Sequence, residues 1–300
     1  MIRLAHYSDI HLTQRSLGWT VRDLVSKKVP GWVNVKLLGR GRRFRHAPRI
    51  AELLMNDLAS RGFDHVVFSG DATTLAFPTE FKLAAQMMRV GMPSQPPTFA
   101  VPGNHDYYTR SGVDAKLFET HFAPALQGER LSDDTYPFAR KVGSLWLIGV
   151  NSCTANGSLW DASGAIGDDQ LERLERLCAT LSPGPRILVT HYPLRNANGR
   201  IEHSTHRLRD HAQAIASATR AGISLWLHGH IHRGFVLLPT PEIPFPVICA
   251  GSCTQTNRWM YNEYEISGDT LTMLRRRFDP ITNAYQDAER ETIPLRKSPR

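Results

Sequence analysis

A chain of 300 residues with 41% apolar and 21% charged residues has enough apolar content for a sizeable core, which excludes an intrinsically disordered chain. No apolar run approaches the roughly 18 residues of a membrane-spanning helix, and Met1-Ile2-Arg3-Leu4-Ala5 enters a strand without a signal-peptide pattern. Four cysteines (Cys153, Cys178, Cys249, Cys253) fit neither a disulfide framework nor a metal knuckle, so they read as reduced thiols in a cytoplasmic protein.

In chain order, Ile2–Ser8 reads as a buried strand running into Asp9-Ile10-His11. A basic insert follows, at about 13–46. Between residues 13 and 49, ten Lys and Arg stand against Asp23 alone, so this segment accounts for the formal net charge of +8 and the remainder is close to neutral. Its cations are interleaved with Leu17, Trp19, Leu24, Trp32 and Leu37, and Pro30-Gly31 divides it into two short amphipathic pieces. Cations beside Trp, Leu and Val are what a segment needs to meet anionic head groups and enter the acyl boundary. The same composition also fits a solvated loop packed on the domain, or a nucleic-acid contact.

Pro48 opens a helix to about Arg61, with Ile50, Leu53, Leu54 and Leu58 at helical spacing. The strand His65–Ser69 leads to Gly70-Asp71, and a helix is expected over Pro78–Val90. The strand Thr98–Val101 stops at Pro102-Gly103 and presents Asn104-His105-Asp106. A third helix covers roughly Gly112–His121, and Phe138–Ser152 reads as a hairpin turning near Val142–Ser144. Asp168–Leu181 is an amphipathic helix with Leu171, Leu174, Leu177 and Leu181 on one face. Then come the strand Arg186–Thr190 with His191, a helix over Arg207–Ala221, and the strand Ser224–His228 with Gly229-His230-Ile231-His232. Short apolar runs from Phe235 to Phe278 predict an antiparallel finish, and the polar segment 279–300 reads as a partly disordered tail.

Five apolar strands therefore end in Asp, Asn or His. Ligand sites of open α/β sheets lie outside the carboxyl ends of the strands, so Asp9, His11, Asp71, Asn104, His191, His230 and His232 can converge. Nitrogen and oxygen donors without a thiolate suit Mn, Fe, Zn or Co. An isolated histidine at a strand end is more often structural, but the i, i+2 spacing of His230 and His232 puts both on one side of an extended segment. His228 shares that parity but precedes the turn and reads as a core or supporting residue. Arg195, Arg200, Arg207 and His203, in the loop after His191, are candidate substrate contacts because guanidinium forks suit phosphate; a solvated loop is the plainer alternative.

The order D-x-H, G-D, G-N-H-D/E, H and G-H-x-H stands here as Asp9/His11, Gly70/Asp71, Gly103–Asp106, His191 and Gly229–His232. It resembles the signature of the calcineurin-like metallophosphoesterases, over residues 2 to about 275. The resemblance implies an α/β fold, a four-layer sandwich of two packed mixed β-sheets flanked by helices. It would occupy residues 1–278, with the insert at 13–46 and the tail beyond. It further implies two divalent metal ions, manganese favoured. Asp9, His11, Asp71 and His232 would bind one ion, and Asp71, Asn104, His191 and His230 the other, with Asp71 bridging. The expected reaction is cleavage of a phosphodiester or pyrophosphate by a bridging hydroxide. His105 would serve as leaving-group stabiliser or general acid, and Asp106 would orient it or cap the turn.

The basic, Trp-bearing insert is similar to that of bacterial metallophosphoesterases, of the chlamydial type, that cleave UDP-2,3-diacylglucosamine in lipid A synthesis. That similarity implies a lipid-linked substrate and a peripheral position on the inner face of the membrane. The alternatives are a soluble cyclic-nucleotide or glycerophosphodiester phosphodiesterase, a nuclease, and a non-catalytic scaffold. Scaffolds with this fold typically lack some ligands, and this chain lacks none.

Overall fold

The computed structural model describes residues 1–158 and 160–297. The strands are β1 (Ile2–Tyr7), β2 (His65–Phe68), β3 (Thr98–Ala100), β4 (Phe138–Val142), β5 (Leu145–Gly149), β6 (Arg186–Val189), β7 (Leu225–His228), β8 (Phe235–Leu237), β9 (Val247–Cys249), β10 (Met260–Ser267), β11 (Thr270–Asp279) and β12 (Ala284–Pro294). They form two six-stranded sheets, ordered β12-β11-β10-β1-β2-β3 and β4-β5-β6-β7-β9-β8. Both are mixed: β1, β2 and β3 run parallel, as do β5, β6, β7 and β9, while the flanking strands are antiparallel.

The central strands carry near-continuous apolar runs, such as Leu145–Gly149, because they are covered on both faces. The sheets meet through side chains such as Phe99 on β3 and Phe138 on β4, whose rings stack at 4.6 Å. Helices cover the outer faces. Ala47–Ser60 buries Ile50, Ala51, Leu54, Met55 and Leu58, which recur every three or four residues and so share one stripe. Asp168–Thr180 does the same with Leu171, Leu174, Leu177 and Cys178, and packs beside His211–Arg220. This is the expected α/β sandwich. Among the described residues, no helix is long and apolar enough to cross a membrane.

Several local expectations are corrected. The insert is not divided at Pro30-Gly31: a helix runs unbroken over Lys28–Lys36. Pro30 lies in its first turn, where no intrahelical acceptor needs a proline N–H. The expected helix Gly112–His121 is two, Arg110–Asp114 and Leu117–His121, parted at Lys116 with φ of 49°. The helix expected from Arg207 starts at His211, since residues 207–209 are held extended by a parallel bridge to Gly164, whose N–H donates to Arg207 O at 3.0 Å and whose carbonyl accepts from Arg209 N at 2.9 Å. The polar tail is not disordered as far as it is described. Ala284–Pro294 pairs along β11, burying Tyr285 and Ile293 and setting Glu289 and Asp287 against Arg275 and Arg276. An edge strand with one solvated face has the composition of a disordered segment, which hid it. Residues 298–300 lie outside the described residues.

Candidate metal centre

The parallel strands of both sheets deliver their carboxyl ends to one place. Asp9 and His11 follow β1, Asp71 follows β2, and Asn104 and His105 follow β3, while His191 follows β6 and His230 and His232 follow β7. The loops are stitched together: Asp9 N donates to Gly70 O at 2.9 Å and His11 N to Asp71 O at 3.0 Å. The Asp106 carboxylate accepts from the backbone N–H groups of Asp71, Thr73 and Gly103, each at 2.9 Å, and of Ala72 at 3.1 Å. Gly103 makes this approach possible, because a Cβ there would lie 2.1 Å from Asp71 Oδ1.

Asp9, His11, Asp71, His230 and His232 all have positive φ, between 47° and 70°. For residues with a Cβ this conformation costs on the order of 1–3 kcal/mol each and persists where the surroundings impose it. Nothing in the sequence announced it.

The seven predicted donors come together. His11 Nε2 lies 3.5 Å and His191 Nε2 3.4 Å from Asp71 Oδ2, one imidazole on each side of the carboxylate. On the first side, His232 Nε2 is 3.1 Å from Asp9 Oδ1 and 3.2 Å from His11 Nε2, so Asp9, His11, Asp71 and His232 form a cage able to hold a metal ion. On the second, Asn104 Oδ1 is 3.1 Å from His191 Nε2 and 3.0 Å from His230 Nδ1. Backbone and side-chain oxygens take up the outer nitrogens: His191 Nδ1 meets Ser69 O at 2.8 Å, His230 Nε2 meets His206 O at 3.1 Å, and His232 Nδ1 meets Gln255 Oε1 at 2.5 Å. Such partners fix each ring so that its other nitrogen faces the centre. Gln255 belongs to no motif, so nothing in the sequence marks it.

The donors fit a metal. Asp9 Oδ1 is buried with no backbone or hydroxyl donor, facing only the ring nitrogens of His232 at 3.1 Å and His11 at 3.8 Å, which suits an oxygen that a cation completes. Burial works against charge on Asp71, yet the imidazoles of His191, His105 and His11 hold its carboxyl well below the usual range. Burial likewise opposes charge on His191, but Asp71 outweighs it and lifts that imidazole to about 9.

His105 is set differently. Its Nδ1 is 2.7 Å from the Thr74 carbonyl oxygen, which can only accept, so Nδ1 carries the proton. Its Nε2 faces Nη2 of Arg40, from the insert, at 2.5 Å. Burial and the Arg40 charge press its pKa down to about 3. Asp106, expected either to orient His105 or to cap the turn, is occupied by the amides of residues 71–73 and 103, and Thr74 holds the imidazole instead. The loop arginines do not arrive at the cleft either. Arg195 pairs with Glu242 at 3.6 Å, Arg200 and His203 are exposed, and none of these or Arg207 is among the side chains bounding the centre. The cations that do bound it, Arg40 and Arg43, come from the insert, whose composition pointed to a membrane or lipid-substrate surface, a solvated loop or a nucleic-acid contact and singled out neither arginine.

The centre opens into a cleft of about 460 Å³ bounded by Arg40, Arg43, Asp71, Asn104, His105 and His230. Beyond Asn104, His105 and Arg40 lies a more apolar chamber of about 630 Å³, walled by Val29, Pro30, Val33, Leu38 and Tyr192.

No curated protein matches the sequence. Among solved structures, a dimetal phosphatase from Danio rerio superposes with a TM-score of 0.66 at 13% identity, covering 98% of each chain. Purple acid phosphatase PPD1 from yellow lupin (Lupinus luteus) gives 0.62 at 11% identity over 98% of this chain and 53% of that one. GAP50 of Plasmodium, described as the anchor in the inner membrane complex, gives 0.53 at 11% identity over 99% and 90%. At these identities the likeness is one of fold. The profile of the calcineurin-like phosphoesterases matches residues 2–234, a span holding all seven clustered donors. The chain thus belongs to the calcineurin-like phosphoesterase family and is a metal-dependent phosphoester hydrolase.

Proposed function

We propose that this chain hydrolyses a phosphodiester or pyrophosphate bond of a lipid-linked substrate presented at an anionic membrane surface. Asp9, His11, Asp71 and His232 would hold one divalent ion and Asp71, Asn104, His191 and His230 a second, manganese being the metal we favour. Two such ions would lower the pKa of a shared water and clamp the phosphoryl oxygens for in-line displacement. Asp106 keeps the 71–73 loop in shape. His105, neutral with its proton held on Nδ1 by the Thr74 carbonyl, turns a bare Nε2 lone pair to Arg40, so it serves the leaving-group side through the guanidinium it holds and not as an acid.

One observation carries the substrate class: the segment walling the cleft also exposes apolar side chains. Val21 is 82%, Val25 89%, Leu37 72% and Leu38 74% exposed, among the exposed cations Arg22, Lys36, Arg42 and Arg45. Apolar side chains ringed by cations suit a surface of anionic head groups. Leu38 also walls the apolar chamber, which is of a size that takes a small-molecule ligand and adjoins the metal centre.

The test is sedimentation with phosphatidylglycerol-containing and neutral vesicles, alongside turnover of a nucleotide-diphosphate lipid and of bis-p-nitrophenyl phosphate. Manganese-loaded protein is expected to sediment only with the anionic vesicles, and the paired substitution Val25→Glu, Leu37→Glu to release it while leaving bis-p-nitrophenyl phosphate turnover in place. Protein that stays in the supernatant removes the membrane surface from this reading. Activity confined to phosphomonoesters removes the diester or pyrophosphate.

A further inference from the structure

We infer that Arg40 is a substrate-binding residue of the metal centre, donating from the insert to a non-bridging phosphoryl oxygen, and that His105 acts chiefly as the residue that positions it. This rests on the phosphohydrolase reading and names a part of the site that the sequence motifs do not contain.

Arg40 begins the short helix Arg40–Arg43, directly after Gly39 with φ of 86°. That left-handed turn, natural to glycine, reverses the chain and sends the arginine back over the site. The side chain is half-buried and borders the cleft together with Asp71, Asn104 and His230. A guanidinium withdrawn from water usually has a carboxylate against it. Arg40 has none in contact: among the described residues its only hydrogen-bond partner is His105 Nε2, no ion pair involves it, and Asp71 acts on it only from beyond ion-pair distance. Because Nδ1 of that ring donates to the Thr74 carbonyl, Nε2 offers a lone pair, and a guanidinium can only donate. The contact therefore fixes the direction of Arg40 without cancelling its charge, which a carboxylate would have done.

The charge then needs an anion. Asp9 and Asp71 are the carboxylates among the predicted ligands, and two divalent ions would outweigh them. A further guanidinium on the same cleft is repelled unless a negatively charged group enters between. A phosphate ester is such a group, and the planar fork of arginine matches its oxygens. Arg43 borders the same cleft and adds to the field, but it is exposed and reaches no side chain of the centre. A mere latch for the insert would place Arg40 equally well. It would not require the charge to be left free.

The experiment is calorimetric titration of manganese-loaded protein with inorganic phosphate, with metal content measured on every sample. Arg40→Ala is expected to keep both ions and to weaken phosphate by about 10- to 100-fold, the loss of one charge-assisted donor. Arg40→Lys should recover part of that loss. His105→Ala should weaken phosphate nearly as much as Arg40→Ala, and the double variant no further than Arg40→Ala alone, because the two act as one unit. The inference is overturned if Arg40→Ala binds phosphate within twofold of wild type, even where limited proteolysis shows the insert loosened, since that pattern is a latch. It is also overturned if the two losses multiply, or if the loaded wild type binds no phosphate. Wild type that binds phosphate through Arg40 yet cleaves no ester would instead count against the proposed reaction, so the two failures are distinguishable.

Discussion

Asp71 is the side chain on which the two halves of the centre meet. Its Oδ2 lies 3.5 Å from His11 and 3.4 Å from His191, while Oδ1 accepts from the backbone N–H of His105 at 2.7 Å. If it bridges two ions as proposed, alanine removes the shared ligand, so Asp71→Ala is expected to lose at least one of two metal ions per chain by elemental analysis. Retention of both would dissolve the bridging assignment. His6 gives a residue-scale prediction outside the centre. It is fully buried between Tyr264 and Ser69, each at 2.9 Å, and burial, with the neighbouring His228, lowers its pKa to about 3. The folded ring stays neutral while the unfolded one takes up a proton below about 6.5. Its contribution is thus complete above that pH and is lost progressively as pH falls towards 3. By pH 5 it amounts to a loss of about 2 kcal/mol. Urea denaturation of wild type and His6→Gln at pH 7.5 and 5 is expected to show the wild type losing that much more stability than the variant.

At the scale of elements, two helices show how differently segments are held. Asp168–Thr180 is fixed by burial of one stripe, and Leu174 at its centre is wholly enclosed. Leu174→Ala should cost about 2–5 kcal/mol in chemical denaturation, with metal content unchanged in the folded fraction. A cost under about 1 kcal/mol would mean the helix is not anchored through that stripe. The insert helix Lys28–Lys36 is held by fewer contacts: Leu17, Leu75 and Phe77 make a small separate cluster against which Trp32 packs, and Lys28 pairs with Asp23 at 2.9 Å. The apolar content of the insert, legible in the sequence, is thus spent partly on docking and partly left at the surface. Composition could not apportion it, because the same Trp and Leu residues serve both ends.

For the whole molecule, the centre joins the two sheets. The first contributes Asp9, His11, Asp71 and Asn104, and the second His191, His230 and His232. A ligand that binds only the folded state stabilises it by about 2.7 kcal/mol at a hundredfold excess over Kd. Manganese-loaded protein is therefore expected to melt several degrees above the chelator-treated form. Equal melting temperatures would mean that the ions do not tie the sheets together. The left-handed backbones of five candidate donors point the same way, since strain at a centre is sustained when the whole fold imposes it.

The sequence by itself determined the strands that end in Asp, Asn or His, and so the candidate donor set, because buried strands demand apolar runs and the motifs stand directly beside them; it missed β9, expected in an antiparallel finish but paired parallel to β7. The edge strand Ala284–Pro294 escaped, since its side chains answer to water on one face and to arginines on the other. Only the tertiary structure decided which cation faces the centre, which oxygens steer each imidazole, and where Asp106 spends its carboxylate. Each of those depends on loops far apart in the chain meeting at one point, and no local pattern of residues records such a meeting.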